Sequence, residues 1–176
     1  MEGEILLWIQ EYIRGPVLNS LMRGITHLGD FGIFWILMAI VLILYSETRK
    51  AGVVVTAGML ASFVFNNLLL KNLVARIRPY EVIDGLTLLV DKASDLSFPS
   101  GHSATSFVAA TIMMCMLPKR YGVSAMVLAA LIAFSRLYVG IHYPTDVLFG
   151  TVSGIVIGLV TVKISGLNFQ SNRLKE

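Results

Sequence analysis

Cysteine and charge are both scarce in this 176-residue chain. Cys115 is its only cysteine, so an intrachain disulfide and a thiolate metal cluster are excluded. Charged residues make up 14% of the chain, against about a quarter in soluble domains, which leaves too little polar surface for a water-soluble globule. The net charge of +3 is modest and its basic residues lie near the ends of apolar runs. That pattern argues for membrane topology and against nucleic-acid binding. The opening MEGEILLWIQEYIRG has no basic n-region and no small-residue cleavage site, so no cleaved signal peptide is expected.

What the chain has instead is apolar sequence in blocks: 56% hydrophobic residues and a mean hydropathy of +0.76. Apolar runs cover residues 31–45, 51–70, 101–117, 121–140 and 145–165. With flanking residues, each approaches the ~20 needed to cross ~30 Å of hydrocarbon. Residues 4–27 differ. Ile5, Leu6, Ile9, Ile13, Val17, Leu21 and Ile25 recur at helical spacing, Glu11, Arg14 and Arg23 lie among them, and Pro16 interrupts the run. A helix lying in the interface fits this better than a sixth span. The expectation is an all-α, polytopic membrane helical bundle of five to six transmembrane helices. Its N-terminal helix, over 1–28, is amphipathic or spanning, and one domain covers 1–176.

Lys and Arg in the short loops set the orientation. Arg49 and Lys50, Lys119 and Arg120, and Arg173 and Lys175 fall on one side by alternation, which the positive-inside rule makes cytoplasmic. The other side carries the long loop 79–100 and three polar islands: KNLVARIRP at 71–79, PSGH at 99–102 and SRLYVGIHYPTD at 135–146. A charge at mid-bilayer costs roughly 2.5–3.5 kcal/mol even on lenient scales. Lys71, Arg76, Arg78 and Arg136 near one face therefore call for water or an anionic partner.

Each island has a bland reading beside a chemical one. In PSGH, Pro99 disfavours helix at Phe98 and Ser100 is a good N-cap. The free N–H groups around Gly101 and His102 then make an anion-binding helix start, or simply a capped one with a solvated histidine. In HYPTD, Pro144 suits the first helical position, and Asp146 falls four residues after His142. Its carboxylate can orient the imidazole as a nucleophile, or serve only as first-turn charge. Lys71 and Arg78 are two helical turns apart and share a face if the helix runs that far; such residues bind phosphate or snorkel. For Arg76, snorkelling is the preferred reading. His27 reads as an interfacial histidine and Asn66 and Asn67 as interhelical hydrogen-bonding residues.

Taken together, Lys71-x6-Arg78-Pro79, Pro99-Ser100-Gly101-His102 and Ser135-Arg136-x5-His142-x3-Asp146 resemble, in order and spacing, the signature of the type-2 phosphatidic acid phosphatase superfamily. The resemblance spans residues 71–146 with no signature position missing. It implies an integral membrane hydrolase that removes the terminal phosphate of a lipid phosphate or diphosphate. His142 would attack phosphorus to give a phosphohistidine, Asp146 would orient it, and His102 would protonate the leaving oxygen. Lys71, Arg78, Arg136, Ser100 and the Gly101 N–H would hold the phosphate oxygens, with no metal and no cofactor. The bilayer and the lipid are the implied partners, with no nucleic acid and no obligate protein. The implied place is the plasma membrane, multi-pass, with the site on the extracytoplasmic side. Undecaprenyl diphosphate, phosphatidylglycerol phosphate and phosphatidic acid all fit as substrates. The rivals are a vanadate-binding haloperoxidase-like site, and a non-catalytic lipid-phosphate-binding scaffold or transporter. The loop 80–98 is expected to cover the site or merely to connect.

Overall fold

A computed structural model describes residues 1–166. Arg173 and Lys175, used in the orientation argument, lie outside the described residues. Those described are all-helical, with no strand. Helix α1 (Glu2–Trp8) runs on through a π-helical turn, Ile9–Ile13, and stops at Arg14, whose backbone is extended. Pro16 then opens α2 (Pro16–Leu28), where its fixed φ and missing N–H suit a first turn. The N-terminal segment is thus two helices, because a proline inside one helix would lose a backbone bond and clash with the preceding turn.

Gly29 and a 3-10 turn, Asp30–Gly32, link α2 to α3 (Ile33–Leu44) with a bend of 46°. Helix α4 (Arg49–Ser62) continues through a π-helical stretch, Phe63–Leu70, into α5 (Lys71–Val74). The short α6 (Pro79–Val82) precedes the long loop, and α7 (Gly101–Met116), α8 (Lys119–Tyr138) and α9 (Pro144–Ser165) complete the bundle.

Among the described residues, three helical stretches are long and apolar enough to cross a membrane: Arg49–Val82, Lys119–Tyr138 and Pro144–Ser165. The bent pair α2–α3 adds a fourth if it counts as one span. That is fewer than the five to six expected, because α3 has only 12 residues and α7 only 16. Yet α7 is the centre of the fold. It packs against α9, α8 and α4, and Ala104, Val108, Ala109, Ala110 and Ile112 along it have no exposed surface.

Small residues permit this packing. Gly150, Gly154 and Gly158 of α9 face α7, and a Cβ on Gly154 would come within 2.5 Å of the Ala104 carbonyl oxygen. Close backbone approach of this kind is how helices associate where burial of apolar surface gives no drive. The same seam carries Gly150 to the start of α7, where its Cβ would lie 2.6 Å from the Ser100 carbonyl oxygen. Large apolar side chains face outward around the bundle, among them Leu37, Val53, Leu60, Val127, Leu148 and Val156. Such a surface suits hydrocarbon rather than water.

The N-terminal helix stays at one end. Gln10 bonds Gly85 and Thr87, Arg14 bonds Thr87 and the Tyr138 carbonyl oxygen, and Glu2 bonds Thr145. The Leu-rich part of the long loop packs down with it, Leu88, Leu89 and Val90 lying against a cluster of Ile9, Met22, Tyr138, Val139 and Ile141.

Candidate active site

Three chain breaks bring the polar islands together. The first is at Ala75, which closes α5 in the left-handed conformation at φ 49°, its N–H bonded to the Lys71 carbonyl oxygen. That conformation is unfavourable for a residue with a Cβ, and such strain concentrates at functional sites. The residue before Pro79 is also pushed away from helix, and Arg78 is extended. Lys71 and Arg78 therefore meet through a reversal of the chain, and not on one face of a continuing helix as their seven-residue spacing suggests.

The second break is Ser100, the N-cap of α7, whose side chain accepts from the Ser103 N–H at 3.3 Å. The third is Tyr143-Pro144 at the start of α9, where Asp146 Oδ2 accepts the Tyr143 N–H at 3.1 Å. The Ser100 N–H donates to the Asp146 carbonyl oxygen at 3.1 Å and stitches the last two together.

A cavity of about 720 Å³ opens between them, lined by Lys71, Arg78, Gly101, His102, Arg136 and His142. His142 is only 2% exposed. Arg78 Nη1 donates to its Nε2 at 3.1 Å. A guanidinium has no acceptor, so Nε2 must carry a lone pair and the proton belongs on Nδ1. Nδ1 lies 3.5 Å from Oδ2 of Asp146, on the far side of the ring. Burial lowers the His142 pKa to about 3, the charges of Arg78 and Arg136 adding to that and Asp146 opposing it. The imidazole is neutral at any ordinary pH, with its basic nitrogen turned toward the cations.

Asp95 of the long loop sits on those cations. Its Oδ1 accepts from Arg78 Nη2 at 2.5 Å, its Oδ2 accepts from Lys71 Nζ, and its carbonyl oxygen accepts from Arg78 Nε at 3.0 Å. Burial raises the Asp95 pKa, but Lys71 and Arg78 outweigh it and hold the carboxyl below its ordinary value. His102 donates from Nε2 to Asp30 Oδ1 at 2.9 Å, and His27 bonds the other oxygen of Asp30 at 2.7 Å. Arg136 donates to Thr26 Oγ1, while its Nε is buried without a partner.

Several expectations change. Ser100, which the family resemblance places on the phosphate, has a fully buried hydroxyl engaged with Ser103 and does not line the cavity, because capping α7 turns it inward. Arg76 does not snorkel. It bonds Asp146, Thr145 and Glu2 and lies 3.7 Å over the Tyr143 ring. Asn66 is interhelical as expected, accepting from Ser153 at 2.9 Å, but Asn67 lines the cavity against Gly101. Asp30, Asp95, Thr26 and Ser97 had no local signal. They reach the site through turns and loops that apolar periodicity does not describe.

An all-helical bundle with apolar outer faces, whose described residues gather four basic side chains and three histidines around a cavity at one end, defines a membrane-type phosphate-handling protein. The chain belongs to the PAP2 superfamily, whose family model matches residues 51–170. It is 31% identical over 153 residues to an undecaprenyl-diphosphatase of Sulfolobus acidocaldarius, covering 87% of this chain and 73% of that one. It is 33% identical over 153 residues to a decaprenylphosphoryl-5-phosphoribose phosphatase of Mycobacterium tuberculosis, covering 86% and 82%. The crystal structure of a transmembrane PAP2-type phosphatidylglycerolphosphate phosphatase from Bacillus subtilis superposes with a TM-score of 0.76 at 30% identity, covering 94% of this chain and 84% of that one. The protein is a hydrolase of the lipid-phosphatase class, and a phosphohistidine mechanism is general to its family.

Proposed function

We propose that His142 is the nucleophile of a multi-pass membrane phosphatase acting on the terminal phosphate of a lipid phosphate or diphosphate. The observation that carries this is His142 Nε2 turned toward Arg78, with Asp146 behind Nδ1 and Lys71 lining the same cavity. The Nε2–P bond forms as the P–O bond to the leaving group breaks, and His102 gives the leaving oxygen a proton. Water, deprotonated in turn by His102, then attacks phosphorus and breaks the P–N bond, releasing inorganic phosphate. The lipid product is an alcohol from a monoester or a monophosphate from a diphosphate. Lys71, Arg78, Arg136 and the Gly101 N–H hold the phosphate oxygens, which is where most of the acceleration of phosphoryl transfer arises. The Asp95 carboxylate between Lys71 and Arg78 supports this, since it holds two oxygens where a phosphate would present its own.

The relatives' names differ in the lipid and share a phosphate on a long apolar anchor. Phe31, Phe63, Val90 and Ala93 line the same cavity, which suits a head group entering from the bilayer edge. Undecaprenyl diphosphate, phosphatidylglycerol phosphate and phosphatidic acid are the candidate substrates.

The bundle crosses the membrane five times, through α3 with its bent α2 extension, α4, α7, α8 and α9, as one domain. Helix α1 and the π-helical turn that follows it lie in the interface, because Glu2 and Gln10 bond segments at the cavity end and Trp8 and Tyr12 are exposed. Arg49, Lys50, Lys119, Arg120 and Lys163 stand at the opposite ends of their helices, and by the positive-inside rule that supports a cavity facing the extracytoplasmic side of the plasma membrane.

The test is phosphate release by purified protein in detergent with EDTA, on those three lipids and a soluble phosphomonoester, with His142→Ala alongside. One lipid turned over far faster than the rest, and a dead variant, are expected. Loss of activity in EDTA that added metal restores, or turnover by His142→Ala, overturns the mechanism. A folded wild type that hydrolyses nothing favours a binding scaffold.

A further inference from the structure

Behind His142 the carboxylate of Asp146 is fully buried, and both of its oxygens are committed. Oδ2 accepts from Ser97 Oγ at 2.5 Å and the Tyr143 N–H at 3.1 Å, on the side that faces His142 Nδ1. Oδ1 accepts from Arg76 Nη1 at 2.7 Å. A buried carboxylate without a compensating charge is costly and tends to take up a proton instead. His142 is neutral before it attacks, so the only cation in contact with Asp146 among the described residues is Arg76. Arg76 is itself fixed from three directions. Its Nη2 donates to Glu2 Oε2 at 2.6 Å, its Nη1 also donates to Thr145 Oγ1 at 2.7 Å, and its guanidinium stacks on the Tyr143 ring. Glu2 is clamped in turn by the Thr145 N–H at 2.9 Å and the Thr145 hydroxyl at 2.6 Å. Arg76 does not line the cavity.

We propose that Arg76 is a positioning residue for the reaction. It keeps Asp146 ionised and its Oδ2 aimed at His142 Nδ1, and Glu2 of the N-terminal helix holds Arg76 in place. This rests on the reading of His142 as the nucleophile. When Nε2 bonds to phosphorus the ring becomes an imidazolium, and the Asp146 charge that stabilises it must already be present and oriented. The amphipathic α1 is thereby joined to the catalytic carboxylate through Glu2–Arg76–Asp146, and a helix seated at the membrane surface becomes part of the site's support.

The experiment compares wild type, Arg76→Ala, Arg76→Lys, Glu2→Gln and His142→Ala in detergent with EDTA. It measures kcat and KM on phosphatidic acid, inhibition by vanadate, and the acid-labile, base-stable 32P label trapped on the enzyme. Arg76→Ala is expected to lower kcat by about 10- to 100-fold, the usual range for a residue supporting a site from behind. KM and the vanadate constant should stay within about twofold, because the cavity cations are untouched. Arg76→Lys should recover part of kcat, since an ammonium supplies the charge without the two-pronged grip on Asp146 and Glu2. Glu2→Gln should lower kcat by a smaller factor. Should Arg76→Ala fail to fold, Arg76→Lys and Glu2→Gln carry the test through the same split. A raised KM and vanadate constant at unchanged kcat would make Arg76 a phosphate ligand and overturn the proposal, as would wild-type kcat in these variants. Turnover by His142→Ala, or no trapped label on active wild type, would instead overturn the proposed function.

Discussion

Arg76 and Arg78 stand two residues apart in one non-helical stretch, yet they serve opposite sides of the same imidazole. Arg78 reaches the front, where its guanidinium meets His142 Nε2 and the Asp95 carboxylate at the cavity. Arg76 reaches the back, where its guanidinium meets Asp146 and Glu2. The front opens onto the cavity, while at the back the carboxylate is fully buried and bonded to Ser97, Tyr143 and Arg76. In the proposed mechanism, charge at the front would bind and charge at the back would orient, since Arg78 lines the cavity and Arg76 does not. The contrast teaches that one chain reversal at Ala75 sends two arginines, a single residue between them, to opposite sides of one imidazole.

The largest expected effect separates the two sides. Arg78→Ala removes donors from the place proposed for the phosphate oxygens, so it should act on binding and on the transition state together. A loss of about 10²–10³ in kcat/KM is expected, as for other preorganised donors to a developing charge. The KM for phosphatidic acid and the vanadate inhibition constant should both rise. A pure kcat effect, matching that of Arg76→Ala, would mean that front and back are one network and not two.

How much of this could be read in advance differs between the two sides. The front was legible. Lys71, Arg78, Gly101, His102, Arg136 and His142 stand in islands that interrupt apolar runs, and charge beside a span has to be explained by its partner or by water. All six line the cavity. The back was not legible, and although the loop 80–98 could be read as a cover, the residues by which it reaches the cavity could not. Arg76 looks like any cation at a helix end, and only the left-handed turn at Ala75, followed by Pro79, sends it toward Asp146. Asp95 and Ser97 lie in a loop with no periodicity, and Asp30 lies in a turn. The fold itself was read from the apolar blocks as an all-helical bundle. The number of spans was not secured, since α3 and α7 are shorter than a full crossing and take their place by packing, α7 through the glycine seam of α9. The single N-terminal helix broke into two at Pro16 for a reason visible in the sequence.

A middle-sized effect tests the back with an uncharged group. Ser97 Oγ donates to Asp146 Oδ2 at 2.5 Å, on the oxygen that faces His142. Ser97→Ala removes one hydrogen bond and leaves the Arg76 charge in place. A loss of about 1 kcal/mol, roughly fivefold in kcat, is expected for one such bond, with KM and vanadate inhibition unchanged. If Ser97→Ala costs as much as Arg76→Ala, then geometry at Oδ2 matters more than charge at Oδ1, and the role given to Arg76 shrinks accordingly.

The smallest expected effect has the opposite sign and belongs to the front. Asp95 bridges Lys71 and Arg78, so if these two cations hold the phosphate as proposed, a substrate would have to displace its carboxylate before binding. Its side chain is 52% exposed, so water screens much of the attraction and an exposed pair of this kind is worth about 1 kcal/mol or less. Asp95→Asn keeps the shape of the side chain and removes the charge. The KM for phosphatidic acid and the vanadate constant should therefore fall by up to about fivefold, with kcat little changed. A rise in both constants would mean the reverse, that Asp95 holds Lys71 and Arg78 in position for the phosphate and the loop is a support for the front, as α1 is for the back. The two outcomes differ in sign, so a modest change suffices to choose between a carboxylate that competes with the substrate and one that prepares its place.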